Sequence, residues 1–530
     1  MKAANIRREE EAVAARGARW IAVAMVSVGL SNYAYALLLT HLLSAAEYSK
    51  FAAGQGLILW AMNVATVSVP WVLAQSLARA RHPAERRSAI RFAKLTSFGS
   101  GLLAGILVGA IASQFASSST AVVLAVSTLL LFMGTTTTGA LQGQGRMSSL
   151  AVLYVVENMV KNGTGIFLVL AAGMGETGAL AAFGIGALVM IVRSPKTPPG
   201  IHGYRRGIIS GGYSWPRVAL IAGAQGLVSL FIAVDAVTVA LLPVSPEAAA
   251  SYQASATLSR VPLYIAGALA TAFFPSLSKS DALAGREIIA RALRMYAAVA
   301  LPVALILATA PGSLLTVVFP AQYGAAMGVL LRYTAITGVA AGGIGLVTSY
   351  FQATDDYKCL RWLGGGLVAY VLALLVGWRI EGITGLALGG SIGAVLTLLM
   401  MSFRLASGRG WGVFARIALL TPLVSAMVLV LLHRYPYVWL TFACLIGIQS
   451  VVGFVRPGAR HRRQPGWEGL TFARRKGRRA GWNAAVGGKL APPPRHRQES
   501  TMRTALEVDS HRLAHRESGD LPAAWETFPV

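Results

Sequence analysis

Apolar blocks of about 20 residues follow one another from Trp20 to Val455, and they constrain this chain more than any other feature. That is the length at which a helix crosses a hydrocarbon core. Only helices and closed barrels satisfy their backbone polar groups in lipid, and the period-two alternation of a barrel is absent. About fourteen blocks are visible, near residues 19–41, 51–78, 95–115, 120–142, 149–172, 177–193, 208–242, 248–275, 294–318, 325–351, 358–379, 382–405, 413–432 and 437–455. Composition agrees: 55% of residues are hydrophobic and 13% charged, against about 25% charged in a soluble domain. The sequence therefore predicts an all-α polytopic membrane protein. Trp215-Pro216 predicts a break or kink early in the 208–242 block, because proline removes a helical hydrogen bond. The polar stretch before the first block has no cleavable-signal character, and that block is long enough to span and stay. Cys359 and Cys444 lie far apart and suggest neither a disulfide framework nor a metal site.

Basic residues set the expected orientation. Arg79, Arg86, Arg87 and Arg91 follow the second block, Arg146 the fourth, Arg193, Lys196, Arg205 and Arg206 the sixth. Lys279, Arg286, Arg291 and Arg294 follow the eighth, Lys358 and Arg361 the tenth, Arg404, Arg409 and Arg416 the twelfth. The alternate loops hold only Lys50, Arg379 and Arg434. The positive-inside rule places both termini in the cytoplasm, and an even number of crossings agrees. The net charge of +26 is mostly this bias plus the tail, so it calls for no nucleic-acid partner.

The segmentation expected is a cytoplasmic N-terminus (1–18), a first transmembrane bundle (19–193), a cytoplasmic linker (194–207), a second bundle (208–405), two additional helices (406–455) and a disordered basic cytoplasmic tail (456–530). That tail is rich in Pro, Gly and Arg and short of periodic apolar residues. With Trp467, Phe472 and Trp482 among its basic clusters, it would rest on anionic headgroups or stay solvated.

The outward loops, such as SSST and PVSPE, leave no room for a catalytic or acceptor domain. VGGKL at Val486–Leu490 ends like a phosphate-binding loop but lacks its first glycine and the Ser or Thr after lysine. With no engine and no catalytic domain, a carrier or channel remains, with no cofactor expected.

Two halves repeat in order. LSAAEYSKFAAGQG (Leu43–Gly56) recurs loosely as VSPEAAASYQASAT (Val244–Thr257), AQSLARA (Ala74–Ala80) as FPSLSKS (Phe274–Ser280), and LQGQGRMS (Leu141–Ser148) as FQATDDYK (Phe351–Lys358). An offset of six blocks makes these two parallel six-helix repeats, followed by two extra C-terminal helices. Carriers built of repeats bind substrate between them near the midplane.

LSAAEYSKFA resembles the first outward loop of the polysaccharide-biosynthesis flippases, which reads Leu-Gly-Pro-x-x-Tyr-Gly-x-Phe. ATAFFPSLSKS and VVFPAQYGAAMGVLLRYTAITG are similar to that family's eighth-helix exit and ninth-to-tenth hairpin. Ser44 and Ala45 replace the usual Gly-Pro, and Ser49 replaces the Gly after Tyr48. The likeness covers about residues 20 to 405. These flippases belong to the multidrug/oligosaccharidyl-lipid/polysaccharide exporter superfamily. The resemblance implies a protein of the bacterial cytoplasmic membrane that moves undecaprenyl-pyrophosphate-linked oligosaccharide to the outer leaflet for cell-surface polysaccharide export.

LYVVENMVKNG, Leu153–Gly163, is the polar interruption that needs explaining. On a helix Tyr154, Glu157, Asn158, Lys161 and Gly165 share one stripe. A charge at the bilayer centre costs about 2.5–3.5 kcal/mol, so the stripe faces protein or a wet cavity. Either Glu157 and Lys161 are a packing pair, or Lys161 lines an anion-binding lumen that Glu157 balances. Arg260 in the eighth block and Arg332 in the tenth are further lumen candidates, although Arg332 lies near enough to the outer end to snorkel. Asp235 is either a proton or sodium site or a partner of Arg260, and Gln225 would border the same cavity. Lys161, Arg260 and Arg332 are thus the substrate-binding candidates, and Asp235 and Glu157 the ion-coupling or charge-balancing ones. A pyrophosphate suits such cations. The alternatives are an ion-coupled multidrug exporter of the same superfamily, which predicts an acidic lumen, and an enzyme of lipid-linked sugar transfer. A major-facilitator carrier is disfavoured, because RARHPAERRSA stands where its Asp-Arg-x-Gly-Arg loop would be.

Overall fold

A computed structural model describes residues 2–80, 82–195, 215–278, 280, 282–405, 425 and 427–455. Among them no strand occurs. The helices are α1 (Lys2–Leu42), α2 (Ala45–Arg79), α3 (Pro83–Ala112), α4 (Ser118–Gly143), α5 (Met147–Leu170), α6 (Gly175–Val192) and α7 (Trp215–Leu241). There follow α8 (Pro246–Leu258), α9 (Val261–Leu277), α10 (Ala282–Ala308), α11 (Gly312–Val318), α12 (Ala321–Ala353), α13 (Cys359–Leu405) and α14 (Pro436–Val455).

Ten described helical segments are long and apolar enough to cross a membrane, α8 and α9 together counting as one. α13 counts once among them but makes two passes. Its limbs meet where Glu381 and Gly382 leave helical geometry, and Gly382 has φ 59°. The limbs then run antiparallel, with the Thr397 hydroxyl donating to the Gly366 carbonyl at 3.1 Å. α5, which carries the polar stripe, is not among the ten, although it runs 24 residues. The 413–432 block lies mostly outside the described residues, as does everything from 456 onward. The chain is a multi-pass membrane protein.

Residues 196–214, which precede Trp215-Pro216, lie outside the described residues, and with them the expected break early in the 208–242 block. The 248–275 block breaks into α8 and α9. Ser259 and Arg260 form the joint, and Pro262 lies in the first turn of α9. α12 crosses so close behind this joint that a methyl group at Gly338 would collide with the Ser259 carbonyl oxygen. The 294–318 block divides likewise into α10 and α11 around Pro311.

The repeat is legible at the helix starts. Ser44 caps α2 by accepting from the Glu47 N–H, and Ser245 caps α8 by accepting from the Ala248 N–H, each at 3.3 Å. Of the glycines of α3, Gly101, Gly105 and Gly109 face α4, whereas Gly99 faces open space. α4 is central to the first half. Thr137 donates to the Met190 carbonyl of α6 at 2.6 Å, and Ser97 of α3 lies 3.4 Å from the Thr135 hydroxyl. α12 holds the corresponding place in the second half, against α8, α9, α10 and α13. α14 sits on α10, where the Trp439 ring N–H donates to the Thr309 hydroxyl at 3.3 Å. Between halves, α2 runs antiparallel to α7: Gly56 faces Ala233 and Val64 faces Gly226.

Candidate functional site

Among the described residues, each half buries one cation beside a small polar cluster. In the first half, Lys161 of α5 is 9% exposed. Its ammonium donates to Asn32 Oδ1 of α1, and so does the Asn158 amide. Asn162 donates to Ser31 Oγ at 2.8 Å and to Asn158 Oδ1 at 3.2 Å, while its own Oδ1 has no partner. The ammonium also stands 4.8 Å from the Phe183 ring centroid of α6 and 6.0 Å from that of Tyr35. Those distances allow an ammonium to feel the negative face of each ring. Glu157 lies one turn before Lys161 and is half-buried. The lysine hydrogen bond goes to Asn32, while the Glu157 charge acts on the ammonium from one turn away.

In the second half, Arg260 occupies the joint between α8 and α9 and is likewise 9% exposed. Its guanidinium donates to the Ile232 carbonyl of α7 at 3.3 Å. A guanidinium carries five N–H donors, so most of them are left for another acceptor. A small cavity opens beside it, lined also by Asp235, Phe231, Ser259, Thr334 and Thr337. Asp235 is buried among its partners. It accepts from the Ala236 N–H at 2.7 Å and from the Tyr252 hydroxyl at 3.2 Å, with the Tyr370 ring nearby.

An aromatic series lies between the two clusters. Tyr35 meets Phe51 edge-on at 6.3 Å, and Phe51 is 6.3 Å from Tyr48. Tyr48 lies beside Thr257, within reach of the Arg260 charge.

No family model and no curated protein matches the sequence. Solved structures do. The lipid II flippase MurJ, in an inward closed conformation, has a TM-score of 0.59 at 15% identity, over 82% of this chain and 98% of its own. An inward-facing multidrug resistance MATE family transporter of the MOP superfamily has a TM-score of 0.57 at 13% identity, over 72% of this chain and 95% of its own. A eukaryotic MATE transporter has a TM-score of 0.53 at 13% identity, over 82% and 99%. This chain has the MOP exporter fold.

On that fold the sequence-selected residues separate into three places. Lys161 and Glu157 belong to the first half, Arg260 and Asp235 to the second. Arg332 joins neither: it is exposed, and it stands roughly 140–160° around α12 from Thr337 and Thr334, which line the Arg260 cavity. Gln225 does not border the Asp235 cavity. It lies about 15 Å away along α7 and donates to Gln352 at 2.9 Å. Sequence reasoning missed Ser31 and Asn32, although a Ser-Asn pair within an apolar block was a signal. It also missed Tyr252 and Tyr370, whose role depends on the packing of separate helices.

Proposed function

We propose that the protein is a flippase that moves undecaprenyl-pyrophosphate-linked oligosaccharide across the cytoplasmic membrane by alternating access. One observation carries this reading: each half buries a cation, and neither cation spends its hydrogen bond on a carboxylate. Burying an ammonium or guanidinium costs several kcal/mol or about that order. A cation kept at that cost, with donors to spare, suits a polyanionic headgroup. Arg260 would take it through its fork and Lys161 as a point charge. The site must bind weakly enough to release, which two separated cations favour over one tight cage. Membrane lipids are the other partners, through the long apolar helices.

Asp235 supports a second reading, an exporter of small molecules coupled to H⁺ or Na⁺. A buried carboxylate whose donors are a phenol and backbone N–H groups is suited to exchange a cation. The two readings part in one assay. Appearance of lipid-linked oligosaccharide on the outer leaflet, compared with and without the protein, tests the first. Cation-dependent efflux with no effect on the sugar-lipid would support the second.

The proposed orientation puts both termini in the cytoplasm. Single cysteines at Asp355 and Trp467 should resist an impermeant thiol reagent in intact cells. Cysteines at Ser117 and Glu247 should react with it. Rapid labelling at 467 alone would reverse the assignment.

A further inference from the structure

The polar and aromatic contacts that bridge the halves gather at one end, the end with few loop charges. His41 closes α1, and its Nε2 lies 2.9 Å from the Val318 carbonyl at the end of α11. The ring N–H therefore donates from the first half to the second. One layer deeper, Tyr48 of α2 stacks on Tyr323 of α12, with ring centroids 6.5 Å apart and planes 26° apart. Both tyrosines are fully buried, at 1% and 0% exposure, although each stands within the first turn of its helix. Met327 and Leu331 of α12 extend the same apolar cluster inward with Phe51 of α2. Tyr48 then reaches Thr257, three residues before Arg260.

Within the first half the same end is tied by other means. The Thr120 and Thr177 hydroxyls are 2.6 Å apart, and Glu47 packs against Gly175. These ties join α2, α4 and α6, so that end of the first half moves as one piece. Separating the halves there must break the His41–Val318 hydrogen bond and unstack Tyr48 from Tyr323. It would also uncover Arg260.

We propose that His41–Val318 and Tyr48–Tyr323 are the two layers of a gate on the weakly charged side, with Tyr48 as the plug that withdraws from Arg260 when that side opens. This rests on the alternating-access reading, so its first test is read without cargo. Purified full-length protein in lipid nanodiscs carries Cys444→Ser, which removes the exposed native thiol and leaves the buried Cys359. Met327→Cys reports opening through its rate of reaction with a polar maleimide. The rate should rise at least tenfold with Tyr48→Ala. It should rise less with Tyr48→Phe, which keeps the ring. In a second background, without the Met327 reporter, His41→Cys and Val318→Cys are joined by a short bifunctional thiosulfonate. That link should abolish transport in cells and be reversed by reductant. Thr120→Cys joined to Thr177→Cys lies within one half and should leave transport intact.

Unchanged reactivity at 327 in Tyr48→Ala, or full transport by the 41–318 cross-linked protein, would overturn the gate. If Tyr48→Ala fails to fold, Tyr48→Phe and the cross-link decide alone. Should position 327 respond as expected while no sugar-lipid ever reaches the outer leaflet, the gate stands and the cargo assignment fails.

Discussion

Arg260→Ala should reduce outer-leaflet appearance of lipid-linked oligosaccharide by roughly 10- to 100-fold at equal protein level. Hydrogen bonds to a charged partner are worth about 1.5–3 kcal/mol, which is that factor in rate or affinity. Arg260→Lys should fall between, because lysine keeps the charge and loses the fork. Normalising to protein level is essential. Arg260 also bonds the Ile232 carbonyl and lies beside Asp235, and removing one member of a buried pair can cost about 3–5 kcal/mol of stability by itself. Asp235→Asn separates the readings further. For an anion carrier it should be tolerated better than Arg260→Ala. For a cation-coupled exporter the ranking reverses.

Lys161→Met offers a sharper contrast, because activity and stability should move in opposite directions. The ammonium is buried, with an amide oxygen and two aromatic faces around it. Methionine has a similar length and no charge to desolvate. Replacing both members of a buried ion pair with uncharged groups of similar volume often stabilises, by about 1–4 kcal/mol, so the stability arm is read on Lys161→Met combined with Glu157→Gln, which removes the neighbouring charge. The thermal midpoint of that double variant should therefore hold or rise while transport falls at least tenfold. Glu157→Gln alone should be milder on both counts, since the lysine hydrogen bond goes elsewhere. A fall in midpoint matched by a proportional fall in transport would instead make Lys161 a packing residue.

Hydropathy alone made the crossings legible, because the bilayer fixes the length of each apolar block. Even the two limbs of α13 read correctly as separate blocks, since Arg379, Glu381 and Gly382 interrupt them. The joint at Ser259–Arg260 did not. Its one local sign was Pro262, and a proline inside an apolar block marks either a kink or a first turn. On α5 the helical period placed Asn158, Lys161 and Gly165 on the buried face, where they lie. It could not show which helix receives them. Asn32 is 129 residues from Lys161, and such pairings follow from packing rather than from local pattern. Arg332 shows the converse limit: a basic residue in an apolar block looks the same whether it faces inward or outward.

The bond from Asn158 to Asn32 has a consequence for how the chain is made. Its two ends are 126 residues apart. Domains emerge at about 5–20 residues per second, so α1 waits roughly 6 to 25 seconds before α5 exists to receive its amide. During that interval the α5 amides that Ser31 and Asn32 receive in the folded protein have not yet been made. Once α6 is complete, every partner of this cluster has been synthesised. The first half can therefore close on itself before α7 emerges, and the second half would assemble on a finished template.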